Sequence, residues 1–115
     1  MRIKRGKVSR RKHNKLLNLT KGYRGTKSRL TRVAKEASLH AGAYAFAGRK
    51  RKKRDFRRLW IIRIGEAAKQ EGISYSKLMN KLKKAQIELD RKILSDLVVN
   101  DPITFKSIVD AAKSA

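Results

Sequence analysis

Apolar residues along this chain fall into two regimes. From Leu59 onward they recur at helical spacing. Trp60, Ile64, Ala67 and Ala68 share one helical face, with Leu59 and Ile62 beside it. Ser74 precedes Tyr75, Leu78, Met79 and Leu82, the i, i+3, i+4, i+7 pattern of a capped amphipathic helix. Asp90 is placed to cap the next helix, with Ile93, Leu94, Leu97 and Val98 inward. Asp101-Pro102 is an N-cap followed by proline at the first helical position, opening a last helix that buries Phe105, Ile108, Val109 and Ala112. These four short helices predict a small bundle over residues 59–115, beginning inside a longer helix rather than at a linker.

Residues 1–58 have few large apolar side chains and no wide stripe, so they cannot bury enough surface to offset the entropy of ordering. Ser9 is placed to cap a helix through Lys12, Lys15, Leu16 and Leu19, ended by Gly22. Gly22-Tyr23-Arg24-Gly25 reads as a tight turn. Thr26 or Ser28 then caps a second helix, with no proline before Gly72; about 46 residues at about 1.5 Å each would span roughly 69 Å. Gly42 and Gly48 are its expected bends. Strand-like alternation is hard to find. The expected fold class is all-α, a long basic helical N-terminal extension (1–58) plus a small C-terminal helical bundle (59–115).

Charge separates the halves further. The 115 residues include 32 Lys/Arg and 9 Asp/Glu, a net of +23. Residues 1–58 hold 22 of these cations against Glu36 and Asp55, a net of +20; the remainder holds 10 against 7, a net of +3. So large an excess requires a polyanionic partner. Membrane is set aside, because no apolar run approaches the roughly 20 residues of a spanning helix. No apolar segment follows the basic start, which leads us to expect no export signal and a cytoplasmic location. Cysteine is absent, which removes disulfides, a thiol nucleophile and thiolate metal sites.

Candidate catalytic chemistry is sparse. His13 sits among Arg11, Lys12 and Lys15, which repel a metal ion, and His40 stands in an alanine-rich stretch. Glu66, Glu71, Glu88 and Asp90 lie on expected helices, where caps and ion pairs explain them. No zinc spacing, phosphate-binding loop or nucleophile elbow occurs. The expectation is a protein that is not an enzyme and has no metal, cofactor or small-molecule substrate.

The cations therefore carry the chemistry. Candidate phosphate contacts are Arg2, Lys4, Arg5, Lys7, Arg10, Arg11, Lys12, Lys15, Lys21, Arg24, Lys27, Arg29, Arg32 and Lys35, with His13 among them and Gly25 and Ser28 in or near the turn. Arg49, Lys50, Arg51, Lys52, Lys53 and Arg54 put a cation at every angle around a helix axis, which suits a helix surrounded by phosphates. Arginine adds a planar fork for phosphate and a face for bases. Tyr23 either stacks on an unpaired base or packs on Leu19 or Leu30. Ala41, Gly42, Ala45 and Gly48 offer a smooth surface for close packing, or simply favour helix formation. Trp60 is read as core because Ile64 continues its face; Arg57, Arg58 and Arg63 beside it are candidates for the bundle's own RNA contact.

Several motifs in order make the chain similar to a known family. They are Ile3-Lys4-Arg5-Gly6, Lys21-Gly22-Tyr23-Arg24-Gly25, Ser28-Arg29-Leu30, Arg32-Val33-Ala34-Lys35, Arg57-Arg58-Leu59-Trp60-Ile61, Ser74-Tyr75-Ser76, and Lys83 to Leu94 with Glu88-Leu89-Asp90-Arg91-Lys92 at its centre. Over nearly its whole length the chain resembles the bacterial-type large-subunit ribosomal protein family number twenty. The resemblance implies a helical extension buried in large-subunit rRNA, a C-terminal domain that also contacts rRNA, early entry into subunit assembly, and neighbouring large-subunit proteins as partners. It implies a C-terminal contact through Ser74, Tyr75, Ser76, Asn80, Lys83, Lys84 and Arg91. Some members also repress their own messenger RNA through this domain. Two departures stand out: Gly65 where the family often has asparagine, and Gln86 where it often has glycine, which makes a left-handed turn after Ala85 costlier. From composition alone the rival is a DNA-compacting protein, since phosphate contacts dominate both. The sequence leaves open the rRNA helices bound, the neighbouring proteins, and whether the ribosome is bacterial or organellar.

Overall fold

A computed structural model describes residues 1–114. The elements in order are α1 (Gly6–Leu19), a short 3-10 turn (Gly25–Ser28), α2 (Thr31–Gln70), α3 (Tyr75–Lys84), α4 (Arg91–Asn100) and α5 (Pro102–Ser114). The fold is all-α, as the apolar spacing predicted. Two compact units are present, Met1–Lys50 and Arg51–Ala115.

Helix starts in the basic half differ from expectation. Ser9 does not cap α1: the helix begins at Gly6 after Arg5, and the Ser9 N–H already bonds the Arg5 carbonyl at 3.1 Å. Neither Thr26 nor Ser28 caps α2, because the 3-10 turn intervenes. The Ser28 hydroxyl donates back to the Gly25 carbonyl at 3.4 Å, and the first bond into α2 runs from Ala34 N–H to the Leu30 carbonyl at 2.8 Å. The helix then runs 40 residues, shorter than expected, and stays α-helical through Gly42 and Gly48.

Helix ends in the second unit follow one device twice. After α2, Ile73 N–H bonds the Ala68 carbonyl (3.0 Å) and Gly72 N–H the Lys69 carbonyl (2.9 Å). After α3, Ile87 N–H bonds the Leu82 carbonyl (3.0 Å) and Gln86 N–H the Lys83 carbonyl (3.2 Å). Both are Schellman endings, which need a left-handed residue just beyond the cap. Gly72 supplies it at φ +76°; the second falls to Gln86 at φ +56°, the only non-glycine at positive φ among the described residues. The cost expected from the family departure at this position is thus present in the backbone.

The core of this unit is built from Ile64, Ala68, Ile73, Leu78, Leu82, Leu94, Phe105, Val109 and Ala112, so α2, α3, α4 and α5 all contribute. Each large buried side chain is worth about 1.5–3 kcal/mol over leaving it in water. Residues 1–50 contrast sharply: only Thr20 and Ala34 are buried there. One expected inward position, Ile93, needs correction, while Leu59 and Ile62 are expected only beside the inward face. Ile93, Leu59 and Ile62 are exposed, and on α4 the buried neighbour of Leu94 is Ser95.

Ser74 and Asp90 occupy N-cap positions with extended backbone, but neither side chain makes a capping hydrogen bond to its helix. Asp101 does cap. Its Oδ1 accepts the Thr104 N–H at 3.1 Å and its Oδ2 the Thr104 hydroxyl. These bonds, the hydroxyl's first, hold the Asp101 carboxyl below the ordinary aspartate range. At the other end of α5, Lys113 donates its ammonium to the Glu71 carbonyl at 2.6 Å, satisfying a group left open where α2 ends.

Candidate nucleic-acid interface

Helix formation in the basic half arrays cations without giving them internal partners. On α1 the side chains of Lys7, Arg10, Arg11, Lys12, His13 and Lys15 are exposed, as are Arg2, Lys4 and Arg5 before it. Lys21, Tyr23, Arg24, Gly25, Lys27 and Arg29 are exposed around the turn, where Gly22 and Gly25 take φ +90° and +66°, while Ser28 is half-buried. Arg32 and Lys35 are exposed on the first turns of α2, and so are Arg49 through Arg54, Arg57, Arg58 and Arg63. At about 100° per residue, consecutive cations from Arg49 to Arg54 point all the way round the axis.

Pairing is nearly absent. Among the described residues, Lys69 is the only lysine or arginine within 4 Å of a carboxylate, 2.7 Å from Glu66, and both are largely solvated. Such exposed pairs are worth about 0–1 kcal/mol. The rest of the positive charge is unneutralised by the chain itself, and that is the central electrostatic fact about the molecule.

Tyr23 lies in a groove of about 560 Å³ with Lys27, Val33, Glu36, His40 and Tyr44. Its two suggested apolar partners, Leu19 and Leu30, stay exposed. The His40 and Tyr44 rings stack at 6.4 Å, and His40 lies 3.8 Å from Glu36.

On the second unit, α3 separates its apolar and polar faces. Ser76, Asn80 and Lys83 follow i, i+4, i+7 and are exposed, with Lys84 beside them. Leu78 and Leu82 face the core. Ser74 and Ser76 hydroxyls approach to 3.5 Å. Arg91, the first residue of α4, donates from Nε to the Tyr75 hydroxyl at 2.9 Å. Tyr75 and Arg91, sixteen residues apart, are thus brought together, and the terminal nitrogens of the guanidinium take no part in that bond.

One group escaped the sequence reading. Phe56 and Trp60, one turn apart on α2, line a groove of about 580 Å³ with Lys53, Arg54, Arg57 and Lys92. Trp60 is half-buried rather than core. The i, i+4 spacing of two aromatics within a cation run was the available signal for it.

Comparison with known proteins agrees with this surface. Residues 2–108 match the family model described as Ribosomal protein L20. The chain belongs to the ribosomal protein L20 family. Among its relatives are proteins named large ribosomal subunit protein bL20 from Aeromonas hydrophila and Aeromonas salmonicida, each 54% identical over 114 residues, covering 99% of this chain and 97% of the relative. L20 is a ribosomal structural family, so membership makes the chain a ribosomal protein and not an enzyme, and removes the DNA-compacting alternative. No described helix of this L20 member is long and apolar enough to cross a membrane.

Proposed function

We propose that the chain is a structural constituent of the large ribosomal subunit in the cytoplasm, binding large-subunit rRNA directly and assisting early assembly. The observation that carries this reading is the exposed, internally unpaired cation array of residues 2–63. Phosphates supply the missing counter-charge, and each neutralised phosphate releases condensed counterions. Residues 1–58 act as an extension that gains its order from RNA, since almost nothing in it is buried. Residues 59–115 act as a folded domain that recognises one RNA site by shape. In that domain Ser74, Ser76, Asn80 and the Tyr75 hydroxyl make neutral hydrogen bonds, while Lys83, Lys84 and Arg91 anchor phosphates. Neighbouring large-subunit proteins complete the surroundings. A messenger RNA folded to present the same site would compete for this surface, which is how repression of its own message would operate.

Crosslinking the protein to RNA in cells and sequencing the attached fragments tests the reading. Fragments concentrated in large-subunit rRNA are expected. Recovery spread evenly over cellular RNAs would contradict it.

A further inference from the structure

The core-facing stripe of α2 continues beyond the core. Ile64 and Ala68 are fully buried. Trp60, Arg57, Phe56 and Lys53 lie on the same roughly 120° arc when each residue turns the helix by about 100°. There the covering side chains thin out. Phe56 keeps 46% of its surface exposed and Trp60 is half-buried, their ring centroids 6.3 Å apart and tilted by 32°. Lys53, Arg54, Arg57 and, from α4, Lys92 complete the lining, and no carboxylate is part of it. Asp55, the acid nearest in sequence, lies about 180° round the helix from Ile64 at the same 100° step.

A groove lined by two aromatic rings and four cations fits an occupant that offers a flat apolar face beside anionic groups. A nucleotide has that distribution. A protein segment would need several carboxylates arranged around one apolar side chain to match it. Aromatic rings beside cations are also how single-stranded nucleic acid is commonly held, the bases stacking and the phosphates paired. We propose that this groove takes an unstacked RNA base against Phe56 and Trp60, with its flanking phosphates held by Lys53, Arg54, Arg57 and Lys92. The inference rests on the RNA-binding function above and adds a base-stacking site to it. Lys92, Phe56 and Trp60 thereby join the RNA-contacting residues.

Trp60 is the only tryptophan of the chain, so its emission reports this groove directly. The full-length protein is titrated with a short oligoadenylate and with an abasic ribose-phosphate strand of equal length, which carries the same phosphates and no bases. Oligoadenylate should quench Trp60, shield it from acrylamide, and bind about 5- to 150-fold tighter than the abasic strand, the range of one base–aromatic stack. Phe56→Ala should remove most of that difference while its helical circular dichroism is retained. Lys92→Gln should weaken both strands. Equal affinity and an equal Trp60 signal for the two strands would overturn the stacking site while leaving RNA binding intact. Base-dependent affinity without Trp60 quenching would place the base elsewhere, and overturns it too. Failure of both strands to bind would remove the RNA-binding function itself.

Discussion

Arg91 Nε donates a 2.9 Å hydrogen bond to the Tyr75 hydroxyl, joining the first residue of α4 to the first residue of α3. A cation at a helix N-terminus opposes the helix dipole, so Arg91 gains nothing there from its own helix. In the proposed function its role there is that of a guanidinium fork for a phosphate. The tyrosine holds the side chain by its inner nitrogen, so the phosphate contact of the proposed function would use the outer edge of the fork.

Tyr75→Phe removes the hydroxyl that accepts from Arg91 Nε. We expect affinity for the rRNA site to fall about tenfold, the equivalent of one charge-assisted hydrogen bond, with unfolding free energy lowered by about 1 kcal/mol or less. Arg91→Lys should lose similar affinity because a lysine lacks the fork. Binding titrations paired with thermal melts check both, and a tyrosine variant that binds normally would remove Arg91 positioning from the account.

Core and surface positions on α4 should separate cleanly. Leu94→Ala empties a fully buried site and should cost about 2–5 kcal/mol. Ile93→Ala, adjacent in sequence but 47% exposed, should cost about 1 kcal/mol or less, the usual scale of a surface change. Denaturant unfolding of the two variants gives the comparison. Similar losses for both would mean that the inward face of α4 is misassigned.

Sequence periodicity located the four helices of the second unit because their apolar faces meet one core. It misjudged Ile93, with Ser95 buried instead, because a stripe on a ten-residue helix does not fix the helix's rotation to within one residue. Ser9, Thr26 and Ser28 were false starts in a segment with no stripe, where any small polar residue resembles a cap. Cation exposure was legible from charge alone. The Tyr75–Arg91 bond and the groove under Lys92 were not, since each joins residues from separate helices that only tertiary packing brings together.

Gln86 carries a left-handed backbone where glycine fits without strain. An L-residue there costs about 1–2 kcal/mol, partly offset by the greater freedom of glycine in the unfolded chain. Gln86→Gly should therefore stabilise by about 1 kcal/mol, and Gln86→Val should destabilise. Calorimetric melting temperatures decide it; a lower melting temperature for the glycine variant would contradict the ending assigned to α3.

Asp101 titrates below the ordinary aspartate range because Thr104 bonds its charged form. A carboxyl depressed in the folded state contributes stability above its unfolded pKa, and that contribution is lost as pH falls through the folded pKa. Thr104→Val should raise the Asp101 pKa and destabilise α5 near neutral pH, with the difference from wild type shrinking in acid. Carboxyl NMR titration reads the shift, and an unchanged Asp101 midpoint in the variant would rule out the Thr104 hydroxyl bond as its main cause.

The central claim is that two parts of one chain bind RNA by different rules. In the proposed function, residues 1–58, which carry +20, hold RNA by charge, and residues 59–115, which carry +3, recognise a folded site. The direct measurement is binding of the 59–115 fragment and of the full chain to the rRNA site and to a scrambled hairpin across a salt series. Each phosphate neutralised on a duplex contributes about −0.9 to the log–log salt slope, so the full chain should bind both RNAs tightly and steeply. The fragment should show a shallow slope and a clear preference for the true site. Equal affinity of the fragment for both RNAs, or a slope as steep as that of the full chain, would contradict the division of labour.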